Sequence, residues 1–414
     1  MTKSGAFFTE FKPHSKHKLL ILEQYFFAWG HKLGMREGAG DAILYVDACA
    51  GRGEDEVGNH GSPYIAARAA AIAQENVSRL RAARFRIQVV AIEANRTHHK
   101  ALSELLAPFG ESVRTVRGTL DDHISSLEHE FPETPTLYFI DPFGIAPLRA
   151  DLVRRALAGI QHEALLLFAD QAALRHFGAI IAGETRAERK YHAAADARAQ
   201  EMSLFAELDR EADARVEALG QAAELSRESL VDTREHAVRI MNAAFEGESW
   251  LPVIEATPEG DRREALLQLY CARLRGWGAT YVLRIPIVNT EGNRVYTLVH
   301  ASKSAKAYVA MKAAVHHALE HSPLDAAIVE QMRGLIRCDL NAIISAVLCR
   351  FAAQRVRWTV DRADKDAPCV KNYVLEETKA FPFEMEDVKT RLKQYKQPGR
   401  TIIYAFPGPT ADVD

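Results

Sequence analysis

The sequence predicts an α/β fold, in which helices cover both faces of a mostly parallel sheet that ends in an antiparallel hairpin. Short β-rich runs alternate with helical runs from residue 42 to residue 169, a rhythm typical of the βα units of parallel sheets. The first, second and fourth of these strands each end in a small or acidic residue at a turn, as nucleotide-binding sheets do. Two further β-rich runs flank a Glu291-Gly292-Asn293 turn within 279–302, which predicts the hairpin.

The first predicted element is an amphipathic helix at 16–33 that lies on the sheet. Apolar residues recur there at helical spacing, at Leu19, Leu22, Tyr25, Phe26 and Trp29. The start of this helix is basic, with His14, Lys16, His17 and Lys18. These side chains could contact an anionic substrate, but we interpret them as a solvated helix start and place no catalysis there.

The other core elements follow in chain order. Strands are predicted at 42–48, 87–93, 112–117, 136–141 and 163–169. Helices are predicted from Ser62 onward and at 95–107, 121–129, 148–159 and 303–320. Residues 1–179 and 249–321 would together form this core.

Two segments differ in character from the core. Residues 180–248 are rich in Ala, Glu, Arg and Gln with almost no strand formers, which indicates a helical insertion. In the tail, 322–414, helices at 324–335 and 339–352 precede the β-rich runs 356–360 and 400–406. This order predicts either a small α+β domain of winged-helix type or a helical cap.

Composition limits the function classes only weakly. The 414 residues carry a formal net charge of -3, so attraction to nucleic acid or to an anionic membrane would need a local basic patch. The five cysteines lie far apart with no CxxC pair, so we expect no structural metal and a reduced chain. Because no apolar run approaches the ~20 residues that span a bilayer and no signal peptide is visible, we expect a cytoplasmic location without membrane contact.

The turn after the first predicted strand is a candidate ligand site. Asp47 and Ala48 lead into Gly51 and Gly53, glycines that let a ligand approach the backbone closely. Ser62 then caps a helix whose free N–H groups would face the same pocket. The alternative is a tight strand-to-helix turn that binds nothing.

Glu93 ends the second strand, where an acid accepts hydrogen bonds from both hydroxyls of a ribose.

The residues that follow Gly53 decide between two nucleoside cofactors. Instead of a third glycine, the chain has Glu54, Asp55 and Glu56, which would repel a pyrophosphate. A zwitterionic methionine tolerates them better, so the sequence favours S-adenosylmethionine over a dinucleotide. We expect Thr119, Leu120 and Asp121, after the third strand, to contact the adenine.

Asp141, Pro142 and Phe143, followed by Gly144, are the predicted catalytic segment at the end of the fourth strand. They resemble the Asp/Asn-Pro-Pro-aromatic motif of amino-group methyltransferases, which orients the target nitrogen by hydrogen bonds. Phe143 and Gly144 depart from that motif at its last two positions, and the alternative is an Asx-Pro turn. After the fifth strand, Asp170, Gln171 or Arg175 could also face a substrate.

As a whole, residues 7–312 resemble the three-Cys-motif partner protein family of bacterial, class I methyltransferase-like proteins. The motifs that carry the resemblance are LLILEQYFFAW, YVDACAGRG with GSPYIA, FIDPFG and IPIVNTEGNRVYTLVHAS. The resemblance implies a Rossmann-like class I methyltransferase core with a seven-stranded sheet. It also implies a partner with three clustered cysteines, of radical S-adenosylmethionine type; this chain lacks such a cluster.

Three functions remain open at this point. The first is an S-adenosylmethionine-dependent methyltransferase, with nucleic acid as the expected substrate because the insertion is rich in Arg and the tail predicts a winged helix. The second is a non-catalytic adaptor that keeps the fold to present nucleic acid or a client to the partner. The third is a nuclease that holds Mg²⁺ with Asp47, Asp55 and Asp141. The sequence has no Gly-x-Ser-x-Gly or Walker-type loop, which argues against hydrolase and P-loop functions.

Overall fold

The computed structural model describes residues 10–36, 41–81, 84–142, 144–169, 173–174, 227–352, 354–358, 369–395 and 403–405. The predicted site residues Phe143, Asp170, Gln171 and Arg175 lie outside this part of the chain, as does 180–226 of the predicted insertion.

A seven-stranded sheet forms the centre of the protein. Its strands are β1 (Ala42–Asp47), β2 (Arg86–Glu93), β3 (Val113–Arg117), β4 (Thr136–Ile140), β5 (His162–Phe168), β6 (Tyr281–Val288) and β7 (Arg294–Ser302). Their spatial order is β3-β2-β1-β4-β5-β7-β6. Strands β1 to β5 are parallel, whereas β7 runs antiparallel to both β5 and β6. The predicted Rossmann-like core with its terminal hairpin is therefore confirmed.

Helices cover both faces of this sheet. Those of the core are α1 (Pro13–Gly34), α2 (Ser62–Arg81), α3 (Arg96–Leu106), α4 (Leu120–Glu130), α5 (Ala150–Ala156), α6 (Arg227–Phe245), α7 (Trp250–Glu255), α8 (Arg262–Gly276) and α9 (Ala305–Glu320). Successive β1 side chains enter opposite cores. Leu44 and Val46 pack with α4, α5, α6 and α8, whereas Ile43 and Tyr45 pack with α1, α2 and α9. Burial on both faces explains why the strands read as continuous apolar runs.

Helix α1 is held to the sheet by a polar cluster as well as by apolar contacts. The Tyr25 hydroxyl donates to the Glu163 carboxylate of β5, and it lies 3.0 Å from His300 Nε2 of β7. His300 Nε2 is also 3.1 Å from Glu163 Oε2, and all three residues are buried. Burial, followed by the negative charge of Glu163, raises the pKa of Tyr25 well above its usual value. A polar group in a dry core is stabilised only when it is hydrogen-bonded, so this cluster fixes where α1 docks.

The tail begins with α10 (Ala326–Ile336), which packs Val329 and Met332 into the same core as α1. Four of the remaining tail elements share a core of their own, and they are α11 (Leu340–Arg350), β8 (Arg355–Arg357), α12 (Val370–Glu376) and α13 (Met385–Leu392). The last described element is β9 (Ile403–Ala405). Strands β8 and β9 pair antiparallel. The winged-helix arrangement and the domain limits stay predictions.

A buried lysine connects the tail to the core. Lys312 of α9 donates hydrogen bonds to three backbone carbonyls in and after the last turn of α12, those of Leu375, Thr378 at 3.4 Å and Ala380 at 2.7 Å. Its ammonium also lies 4.5 Å from the centroid of the Tyr308 ring.

Among the described helices, none is both long enough and apolar enough to span a membrane.

Candidate active site at the carboxyl edge of the sheet

The carboxyl ends of the parallel strands lie side by side, and the candidate site is built on them. In the registers of the sheet, Asp47 of β1 pairs with Ala91 of β2 and with Phe139 of β4, two residues before Asp141. Glu93 at the end of β2 pairs with Arg117 of β3. In open α/β sheets, ligands bind at this edge, where the strand order reverses between β1 and β4.

The glycine turn after β1 is tied directly to the end of β2. Gly51 adopts a φ of 63°, and its N–H donates to Glu93 Oε2 at 2.9 Å. The Ala50 N–H donates to the Ile92 carbonyl at 2.9 Å. Gly53 has a φ of 88°, and a Cβ at this position would lie 2.6 Å from Leu105 of α3. Gly53 therefore serves the close approach of α3, and Gly51 shapes the turn.

Glu93 stays capable of accepting further hydrogen bonds. Its Oε1 accepts the Asn95 N–H at 2.7 Å and its Oε2 accepts the Gly51 N–H, while the side chain is 13% exposed. A carboxylate offers about four lone-pair directions, so roughly two of them remain for a ligand. A vicinal diol donates two hydrogen bonds, and Glu93 fits that demand.

Asp47 is a fully buried acid in the middle of the edge. Its pKa is raised to about 7, mainly by burial and further by the negative charge of Asp141. The Ser62 side chain, the Cys49 N–H at 3.3 Å and the Lys18 charge all oppose that rise. Asp47 and Ser62 therefore lie next to each other at the start of α2. Their contact with a ligand stays a prediction.

Asp141 forms an ion pair with Lys18 of α1, which sequence reasoning missed. The Lys18 side chain is 6% exposed and that of Asp141 is 18% exposed. The Lys18 ammonium also lies 5.7 Å from the centroid of the Tyr296 ring of β7. The first turns of α1 thus supply a cation to the proposed catalytic acid.

The interpretation of the start of α1 as solvated is wrong for three of its four basic residues. His14, His17 and Lys18 are buried, and only Lys16, paired with Glu10, stays on the surface. Burial lowers the pKa of both histidines to about 4, so they are neutral near pH 7. Helical periodicity held the missed signal, because Lys18 is four residues before Leu22 on the buried stripe.

The choice between cofactors assumed that the three acids after Gly53 face a ligand. At least one of them, Asp55, does not. Asp55 is buried, and it accepts the N–H groups of Phe11 at 2.8 Å, Val57 at 3.1 Å and Asn59 at 2.7 Å. This carboxylate organises its own loop, and its oxygens are already engaged by N–H groups that Mg²⁺ would have to displace. Within the described residues, no group of three or more His, Cys, Asp or Glu side chains could hold a metal ion.

The remaining predicted residues occupy varied positions. Ala48 is buried, and its N–H donates to the Phe139 carbonyl of β4 at 2.9 Å. Pro142 is buried beside Asp141. Thr119 is the N-cap residue of α4, and its N–H donates to Asp122 at 2.7 Å.

Leu120 packs into the core, whereas Asp121 forms an ion pair with Arg149 at 2.8 Å. Thr119, Leu120 and Asp121 follow β3, at the same sheet edge as Glu93. Their contact with an adenine stays a prediction.

Comparisons with known proteins give no family for this chain. No family model matches it, and no curated protein matches it. Among solved structures, an O-methyltransferase from Bacillus cereus in complex with SAH shares 11% identity at a TM-score of 0.32, covering 68% of this chain and 80% of that one. A candidate O-methyltransferase from Klebsiella pneumoniae shares 14% identity at a TM-score of 0.30, covering 67% and 78%. A likeness this distant does not carry the activities of those proteins over to this chain.

Proposed function

We propose that this protein is an S-adenosylmethionine-dependent methyltransferase. The observation that carries the proposal is the link between Gly51 and Glu93, which joins a glycine turn after β1 to an acid at the tip of β2. The reversal of strand order beside that turn supports it, because this is where nucleoside ligands bind in such sheets.

The residues of this chain take the following roles in the proposal. Glu93 accepts hydrogen bonds from the ribose, and the positive φ of Gly51 turns the backbone so that the cofactor can lie against it. Asp47 and Ser62 receive the methionine end, and Asp141 with Pro142 orients the acceptor atom. The bound cofactor would supply an electrophilic methyl group on a sulfonium. Catalysis then comes from positioning in a site that excludes water.

We further propose, from sequence alone, that nucleic acid is the substrate. An Arg-rich segment at 180–248 and the predicted winged helix support this choice. The proposed membership of the three-Cys-motif partner family, and the radical S-adenosylmethionine-type partner that it implies, depend on the motifs quoted above.

A second candidate function is the non-catalytic adaptor. The observation that favours it is the ion pair between Lys18 and Asp141, because Lys18 takes a carboxylate oxygen that an acceptor nitrogen would need. An adaptor could bind the cofactor without ever transferring the methyl group.

The test of the methyltransferase proposal is calorimetric titration with S-adenosylmethionine and S-adenosylhomocysteine. We expect Glu93→Ala to weaken both Kd values by about 100-fold, since two hydrogen bonds to a charged group are lost. Glu104→Ala, at an exposed position on α3, is the matched control and should bind like the wild type.

An analogue of S-adenosylhomocysteine that lacks the ribose hydroxyls separates ribose recognition from damage to the turn. The wild type should bind this analogue weakly, and Glu93→Ala should not distinguish it from the parent compound. If the wild type binds neither S-adenosylmethionine nor S-adenosylhomocysteine, the proposal fails and the adaptor becomes the better hypothesis.

A further inference from the structure

We propose that Lys18 sets the preference of this site for S-adenosylmethionine over S-adenosylhomocysteine, as a resident cation that offsets the carboxylates of Asp47 and Asp141. This inference rests on the proposed function and adds a residue that determines its ligand specificity.

Among the described residues, three charged groups interact around the proposed methyl-transfer centre. Asp141 binds the Lys18 ammonium directly, and the charges of both Asp141 and Lys18 act on Asp47. The histidines packed on the same turns, His14 and His17, are buried and neutral near pH 7. With Asp47 ionised, the three charged groups therefore sum to one negative charge.

The two ligands differ by one charge at one atom. The methyl donor carries a sulfonium, whereas the product carries a neutral thioether of almost the same shape. A negative site binds the sulfonium more tightly than the thioether, and the difference grows with the net negative charge. Lys18 offsets the charge of one of the two carboxylates, so it reduces this difference in affinity. The product then binds only moderately more weakly than the donor.

Burial makes the effect large. The three side chains are mostly removed from water, so their charges are poorly screened by solvent or salt. The Tyr296 ring beneath Lys18 further shields the ammonium from solvent. Lys18 pairs with Asp141, whereas Glu93 accepts from the Gly51 N–H, so the proposal separates charge at the sulfonium from recognition of the ribose.

The experiment measures Kd for both ligands by calorimetry at about pH 8, where Asp47 is ionised in most molecules. The quantity of interest is the ratio of Kd for S-adenosylhomocysteine to Kd for S-adenosylmethionine. We expect Lys18→Met, which keeps the apolar stem, to raise this ratio at least tenfold. Asp141→Asn should lower it, because one carboxylate is then lost.

The double variant Lys18→Met with Asp141→Asn restores the net charge and should return the ratio to within about threefold of the wild type. Lys16→Met, two residues earlier on the exposed side of the same helix, should leave the ratio unchanged. A structural defect scales both Kd values together and does not move their ratio. If Lys18→Met fails to fold, Lys18→Gln replaces it, because Gln removes the charge but keeps a polar head that can donate to Asp141; it should raise the ratio in the same direction.

An unchanged ratio in a folded Lys18→Met or Asp141→Asn protein that binds both ligands overturns the proposal and leaves the methyltransferase function intact. A wild type that binds neither ligand overturns both.

Discussion

Replacing Asp47 by Asn should make the folded chain more stable near pH 8 by roughly 2 to 4 kcal/mol, and should change stability little below about pH 4. The pKa of Asp47 is raised from 3.8 to about 7, first by burial and then by the charge of Asp141. A group with a raised folded pKa favours folding while protonated, and that contribution is lost as the pH rises from about 4 to about 7. Asn carries no charge at any of these values, so the variant escapes the loss.

The measurement is urea unfolding of both proteins across this pH range, compared pairwise so that other carboxylates cancel. Asp41→Asn is the control, because that carboxylate lies just before the same strand and is 82% exposed. Its effect should stay below about 0.5 kcal/mol and should not vary with pH. A pH-independent difference for Asp47→Asn would contradict the burial argument. A stabilising change at a proposed ligand site is the usual trade between stability and function.

Lys312→Met should lower the free energy of unfolding by roughly 3 kcal/mol, since it leaves three backbone carbonyls near the end of α12 without their donor. Burial lowers the pKa of this lysine to about 8, so its charge is tolerated only because those carbonyls bind it. Methionine preserves the apolar stem on α9 and removes only the ammonium.

Lys306→Met is the matched control, at an exposed position on the same helix. Chemical unfolding should place it within about 0.5 kcal/mol of the wild type. Protease digestion adds a local readout, because the tail of Lys312→Met should be cut faster than its core. Equal stability of the two variants would show that the carbonyls find other donors, and the tail would then not depend on Lys312.

Much of the fold could be predicted from the sequence because the buried parallel strands are short continuous apolar runs, whereas the covering helices repeat apolar residues at helical spacing. Predicted strands such as 87–93 and 136–141 differ from β2 and β4 by a single residue. The hairpin could be predicted because a glycine stands in a turn between two β-rich runs. In the structure this residue, Gly292, adopts a φ of 80°. Helices α12 and α13 were not predicted, since seven or eight residues span barely two turns and give periodicity little to act on.

The candidate site was predictable only where its residues follow strands. Asp47 and Glu93 end strands of one parallel sheet and Asp141 directly follows another, and topology alone brings such positions to one edge. Lys18 comes from a helix that reaches the edge from elsewhere in the chain, and a basic helix start gives no sign of its partner. Asp55 was misread for the same reason, because the loop that it stabilises closes on the distant Phe11 N–H.

The docking of α1 also fixes an order of assembly during synthesis. This helix precedes the other described elements along the chain, yet Tyr25 needs His300, Lys18 needs Asp141, and the helix packs against α9. Nascent chains that end before residue 294 lack the whole of β7. In such chains α1 cannot yet make its contacts with β7 and α9. A chaperone that shields amphipathic segments during translation would therefore meet this helix for nearly the whole time that the core is being made.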